Sequence, residues 1–278
     1  DDVRINYGVK KISLGNVLSA NPKKPRKEEV VTFISSDLGK LFKKWRDDAF
    51  EVQVGLHELL GHGSGKLLQE TAPGEFNFEQ TELPSNTTYY KPGQTWGSVF
   101  GSTSGSFEEC RAELVALYLI LKEPSKVLPI FGIKSEDFDD VVLIATVLMA
   151  RAGLLALEFY DPETKKWGQP HMQARYGIFQ KLYKAGVVTI EHKEADFSDL
   201  ELKAHPEKFS KEGVETLGEF LKSLHVFKST ANAKDGIAYY TDITSVGPDF
   251  AKFRDVVLSK KLPRKQFIQA NAVDKGDD

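Results

Sequence analysis

The chain has 278 residues, 41% of them hydrophobic, which is enough to bury one or two cores. A net charge of −3 and a pI near 6.1 leave no basic surplus, which argues against nucleic acid as a partner. A single cysteine, Cys110, excludes an internal disulfide and a cysteine-based zinc knuckle; it suits a reducing compartment, so a cytoplasmic setting is expected.

The chain opens on Asp1-Asp2-Val3-Arg4-Ile5, with no basic start leading into an apolar block, so these residues are not a signal peptide. It starts without Met and ends abruptly, and a fragment of a longer protein is expected. Residues 1–30 read as irregular, with Asn21-Pro22-Lys23-Lys24-Pro25 as a loop and Lys23, Lys24, Arg26 and Lys27 as its solvated charges. Ser35-Ser36-Asp37 can cap a helix carrying Leu38, Leu41, Phe42 and Trp45. A second helix is expected from about Asp47 to Leu67. Residues 70–105, rich in Gly, Pro, Asn, Ser and Thr, predict a long loop with short strands, of the kind that borders a site.

Ser104 or Ser106 should cap a helix over 106–122, which Pro124 ends. Asp137 to Tyr160 predicts a long core helix. Its apolar run, Val141 to Phe159, approaches the length of a membrane span, but Arg151 and Glu158 interrupt it and favour burial in a core. Met172 to Ala185 predicts another helix, stopped by Gly186. Val187–Ile190 reads as a strand that Asp199–Leu202 can pair with. Two or three helices should fill 206–259, and Gln266–Gln269 a last strand. The fold class is mainly α with a minor β component.

His57-Glu58-Leu59-Leu60-Gly61-His62 carries the chemistry. Two imidazoles and a glutamate within six residues of a helical run resemble a zinc peptidase site, with the histidines on the metal and the glutamate as base. The spacing is one residue longer than His-Glu-x-x-His. On a helix, residues four apart sit about 40° apart, but residues five apart sit about 140° apart. A regular helix cannot aim both rings at one ion, so a π-bulge is expected, eased by Gly61. A catalytic zinc needs a third protein ligand. The best region for it is Glu108-Glu109-Cys110-Arg111-Ala112-Glu113, where three carboxylates on an apolar helix call for compensation.

The two hexapeptides in this order resemble the paired signature of the dipeptidyl peptidase III family, the M49 metallopeptidases. Gln53-Val54-Gly55-Leu56, Gly63-Ser64-Gly65-Lys66, Arg151 through Tyr160 and His171-Met172-Gln173-Ala174-Arg175 extend the resemblance along essentially the whole chain. The resemblance implies that His57, His62 and Glu109 bind one zinc. It implies that Glu58 is the general base, that Glu108 and Glu113 orient the histidine rings, and that His171 helps stabilise the transition state. Arg175, one turn beyond His171, becomes a candidate partner of the site or of the substrate. The chemistry is consistent: zinc brings the pKa of its water to about 7, Glu58 can pass the proton to the leaving amine, and one oxyanion donor supplies roughly 3–4 kcal/mol.

Members of that family are longer and two-lobed, so residues 1–278 correspond to a helical, zinc-binding catalytic lobe without the preceding lobe. The groups that hold a peptide's free amino terminus, and an assisting tyrosine, are implied to lie in the missing part. Val273 stands about where a substrate-binding arginine is expected. The implied activity is release of dipeptides from the N-termini of short oligopeptides, with no nucleic acid or membrane partner. The alternatives are a zinc endopeptidase and a catalytically weak zinc-containing scaffold. His192, His205 and His225 read as structural, Cys110 as a small buried residue, and Glu108 and Glu113 admit a plainer reading as helix charges paired with Arg111.

Overall fold

The computed structural model describes residues 30–261. The irregular stretch expected over 1–29, the strand expected at Gln266–Gln269 and Val273 therefore lie outside the described residues. Helix α1 spans Ser36–Leu56, and the Ser35 side chain accepts the Leu38 amide as its cap. Nothing in Arg46-Asp47-Asp48 breaks it, so the two expected helices are one. Phe42, Ala49, Val52, Gln53 and Leu56 form its buried stripe. The helix then widens into a π turn, His57–His62, and stops well short of Leu67. Gly63-Ser64-Gly65 ends it, with Gly65 at φ 96°.

The 70–105 stretch contains a small hairpin, β1 (Glu70–Ala72) with β2 (Glu75–Phe76), and a short helix α2 (Trp96–Phe100). Helix α3 (Ser104–Lys122) follows. Neither expected serine caps it: a 3-10 turn, Gly101–Thr103, runs straight into the helix, Ser104 donates back to the Gly101 carbonyl, and Ser106 is buried inside. After Lys122 the chain turns through α4 (Pro124–Val127). Helix α3 is buried on nearly every face and packs against α1, the π turn and the later helices, so it is the centre of the fold.

Helix α5 (Phe138–Leu155) is shorter than its apolar run, because Ala156–Phe159 tighten into a 3-10 turn. Among the described residues, Ser135–Phe159 is the one segment long and apolar enough to cross a membrane. Val141, Ile144, Ala145, Val147, Ala150 and Leu154 are fully buried inside the protein, and Arg151 donates to the Thr32 carbonyl and hydroxyl. The segment is a core helix. Strands β3 (Tyr160–Asp161) and β4 (Lys166–Trp167) then pair as a short hairpin.

Helix α6 (Pro170–Lys184) begins two residues before the expected Met172, because the Gln169 side chain caps the Met172 amide. It crosses α5 closely at Gly153, where a Cβ would meet the Arg175 carbonyl oxygen at 2.5 Å and overlap Phe179. Strands β5 (Val188–Glu191) and β6 (Glu201–Ala204) pair antiparallel, Val188 opposite Ala204. The partner strand begins later than expected because the Asp199 carboxylate closes the connecting loop on the amides of Lys193 and Glu194. A second π turn, Phe209–Gly213, leads into α7 (Val214–Ser229), followed by α8 (Ala233–Ile243) and α9 (Pro248–Ser259). Among the described residues the strands form three separate two-stranded sheets, so the architecture is helical with minor β.

Candidate metal centre

The expected bulge is present as the π turn itself. Its i→i+5 hydrogen bonding adds one residue per turn, so His57 and His62, five apart, fall on the same side. Their Nε2 atoms are 3.1 Å apart, with the rings nearly perpendicular. Helix α3 brings Glu109 to the same point: its Oε2 is 3.1 Å from His57 Nε2 and 3.6 Å from His62 Nε2. A small tetrahedral cation bound at roughly 2.0–2.1 Å sets its ligand atoms about 3.3 Å apart. The three edges bracket that value, and among the described residues this trio is the group of side chains placed to share a metal.

The opposite nitrogens say what the inward atoms are. His62 Nδ1 lies 3.1 Å from Glu108 Oε1, and His57 Nδ1 faces Glu113 Oε2 at 3.7 Å. A proton on each Nδ1 turns both Nε2 lone pairs inward, where they meet the Glu109 carboxylate. Three electron pairs aimed at one another repel unless positive charge, from a metal ion or from protons on the rings, lies among them. Glu109 Oε2 is also buried without a well-aligned hydrogen bond, although His171 Nδ1 comes within 3.2 Å as well. His171 Nδ1 is buried and equally unsatisfied. These orphaned atoms converge on one point, which fits a metal.

The surroundings fix the carboxylates. Glu113 accepts from Gln53 Nε2 at 2.8 Å and from Arg175 Nε and Nη2 at 2.9 and 2.8 Å. Glu108 accepts from Arg111 Nε and Nη2 at 3.0 and 2.6 Å, and from Lys228 Nζ at 2.5 Å. Burial opposes the charge on Glu108 and Glu113, but these cations and the histidines outweigh it and hold each carboxyl down at about 2. Burial likewise raises Glu109, yet His57 and His62 carry it below the usual carboxylate range. Burial works against a proton on His57, and Glu109 and Glu113 overcome it and push the ring up to about 9. Glu108 first, then Glu109, push His62 to about 9 against its burial. Without a metal, protons on the two rings balance the carboxylates.

The structure therefore brings together His57, His62, Glu109, Glu108, Glu113, His171 and Arg175. Glu58 follows His57 on the same turn and is half-buried. The plainer reading of Glu108 and Glu113 as helix-surface charges is wrong, since both are largely buried and Arg111 is fully so. Two participants had no assigned role. Gln53 carried a signal, a polar residue one turn before His57 on a buried stripe; Lys228, 120 residues from Glu108, carried none. From the 70–105 stretch, Tyr90 donates to the Lys228 carbonyl and Trp96 lies under its ammonium group. His205 contacts Thr189, His192 meets Phe197 edge to face, and Cys110 is buried.

Fold and cluster together define a helical lobe built around a candidate metal centre. The model of peptidase family M49 matches residues 1–278. The chain is 43% identical to dipeptidyl peptidase 3 of Dictyostelium discoideum over 98% of its length and 40% of that relative's. It is 42% identical to the Homo sapiens dipeptidyl peptidase 3 over 100% of its own length and 39% of the relative's. The chain belongs to peptidase family M49, and it spans about 40% of the length of the curated relatives it matches. A solved structure of DPP III from Caldithrix abyssi superposes with a TM-score of 0.51 at 13% identity, covering 81% of this chain and 34% of that one. The dipeptidyl-peptidase III of Corallococcus sp. strain EGB gives 0.51 at 15% identity, covering 80% and 33%. Those two likenesses bear on the fold. Family membership implies a metal, and His57, His62 and Glu109 are the residues that fit one.

Proposed function

We propose that this chain is the zinc-binding catalytic lobe of a dipeptidyl peptidase that releases dipeptides from the N-termini of short peptides, together with a further lobe of the same protein. The observation that carries the reading is the convergence of His57 Nε2, His62 Nε2 and Glu109 Oε2, each ring having its other nitrogen turned to a carboxylate. Two imidazoles and one carboxylate are a donor set that zinc takes in hydrolytic sites. Bound there, zinc would polarise a peptide carbonyl and acidify a water at neutral pH.

Glu58 is the general base in this reading. Its carboxylate takes a proton from the attacking water as the new C–O bond forms, then delivers it to the amine nitrogen as the C–N bond breaks. His171 enters from the first turn of α6 with 40% of its side chain exposed, so it can reach substrate as well as Glu109. It would donate to the carbonyl oxygen as charge develops there. Arg175 spends its Nε and Nη2 donors on Glu113, which makes it a brace for that carboxylate more than a substrate ligand. The dipeptide register rests on the relatives' names, and the further lobe on the share of their length that this chain spans.

The test is metal content by elemental analysis beside Glu109→Ala, followed by cleavage, by the protein with its further lobe, of a peptide with a free amino terminus and of its N-acetylated form. About one zinc per chain, lost in the variant, with only the free-amine peptide cleaved, is expected. Equal cleavage of the acetylated peptide would make the protein an endopeptidase, and absence of zinc from folded protein would end the metallopeptidase reading.

A further inference from the structure

Arg111 lies between Glu109 and Glu113 in sequence, yet the proposed reaction gives it no task. It is the largest fully buried side chain among the described residues. Its guanidinium points two ways. Toward α3 itself, Nε and Nη2 grip both oxygens of Glu108, the carboxylate facing His62 Nδ1. Toward the π turn, Nη2 donates to the Gly61 carbonyl at 2.7 Å and Nη1 to Ser64 Oγ at 3.1 Å. Ser64 Oγ donates in turn to the Gly61 carbonyl at 3.1 Å.

The Gly61 carbonyl sits at the end of the turn, where the chain beyond it supplies the Ser64 amide at 3.2 Å, and the Arg111 bond at 2.7 Å is the shorter one. Gly61 also packs directly on α3: a Cβ there would lie 2.7 Å from Ala112 Cα and Cβ. The backbone of the extra residue is thus pressed against the helix beside Arg111 and fastened to it. Charge alone does not explain the choice of residue, because Lys228 already places an ammonium 2.5 Å from Glu108 Oε2. What arginine adds is a planar fork with donors in fixed directions.

We propose that Arg111 is a positioning residue for the metal centre, whose fork locks the π turn in the register that presents His57 and His62 together and holds Glu108 against the His62 ring. This rests on the reading of His57, His62 and Glu109 as metal ligands. It requires the geometry of a guanidinium, so a lysine that restores the charge does not restore the site.

The test uses the full chain, purified free of metal and titrated with zinc against a chromophoric chelator. A parallel titration with cobalt(II) follows the visible absorption band, which reports coordination geometry. Wild type should bind one ion and His57→Ala none; that pair tests the metal reading by itself. Arg111→Lys should fold, by circular dichroism, and bind zinc about 10- to 100-fold more weakly, as loss of a group that orients a ligand does, with a shifted cobalt band. Arg111→Met should lose at least as much. Wild-type affinity and an unshifted band in folded Arg111→Lys would overturn the proposal and leave Arg111 an ordinary buried ion-pair partner. Should neither Arg111 variant fold, Ser64→Ala removes one arm of the fork without changing charge; a shifted cobalt band is expected, and an unshifted one overturns the proposal.

Discussion

Two glycines of the first helix and its π turn should respond to alanine with opposite signs. At Gly61 the added methyl would lie 2.7 Å from Ala112 Cα and Cβ and 3.0 Å from the Ala112 carbonyl oxygen. Two of those three are main-chain atoms of the central helix, which cannot rotate away, so the π turn itself must lift. Overpacking of this kind costs about 1–3 kcal/mol. At Gly39, in the first turn of α1, a Cβ would have nothing within 4 Å. Removing glycine's excess freedom from a helix there is worth about 0.5–1 kcal/mol. For a protein of this size each kcal/mol moves the melting temperature by roughly 2–4 °C. Gly61→Ala should therefore melt about 2–12 °C lower and Gly39→Ala about 1–4 °C higher, measured by calorimetry on protein stripped of metal. Gly61→Ala should also bind zinc more weakly, because His62 moves with the turn. Two variants that shift in the same direction, or a Gly61→Ala protein with unchanged melting and zinc affinity, would show that the turn is not wedged against α3.

Glu58→Gln should retain zinc by elemental analysis and lose several orders of magnitude in turnover; surviving activity would remove Glu58 as the base. In metal-free protein the titrations give a bounded stability window. Glu108 and Glu113 fall from an ordinary 4.5 to about 2, so their contribution is present above pH 4.5 and is lost as pH drops through about 2. His57 and His62 rise from 6.5 to about 9, so theirs is present below pH 6.5 and is lost as pH climbs through about 9. Melting temperature against pH in chelator should plateau between 4.5 and 6.5, and Glu108→Gln should flatten both limbs; a maximum near pH 9 would contradict the assignment. Removing bound zinc at neutral pH should lower the melting temperature in proportion to the logarithm of its affinity, and a chelator without effect would mean that the folded state gains nothing from the ion.

Much of the site was legible because its chemistry is concentrated. Two hexapeptides hold His57, Glu58, His62, Glu108, Glu109 and Glu113, and the odd spacing of His57 and His62 forces a backbone distortion on geometry alone. Helix existence followed from apolar periodicity. Ends were harder to place, since they depend on tertiary context: Asp199 belongs to a loop because its carboxylate meets the Lys193 and Glu194 amides, and Ser104 fails to cap because a 3-10 turn precedes it. Asp47 and Asp48 lie on the exposed face of one continuous helix, and nothing local distinguishes that from a junction between two. Burial of Arg111 is invisible locally, because the groups that make it tolerable come from Gly61 and Ser64, about fifty residues away. Lys228 is the extreme case, one lysine among many until α7 docks.

That spread along the chain bears on when such a centre can come into being during synthesis. The three side chains that would hold the ion have all been made by residue 109, but the arginine that braces Glu113 comes at residue 175 and the lysine on Glu108 at residue 228. A growing chain would carry every metal-binding group long before it carries the groups that aim them. Firm capture of an ion at this point would therefore follow docking of the last helices rather than synthesis of the three ligands.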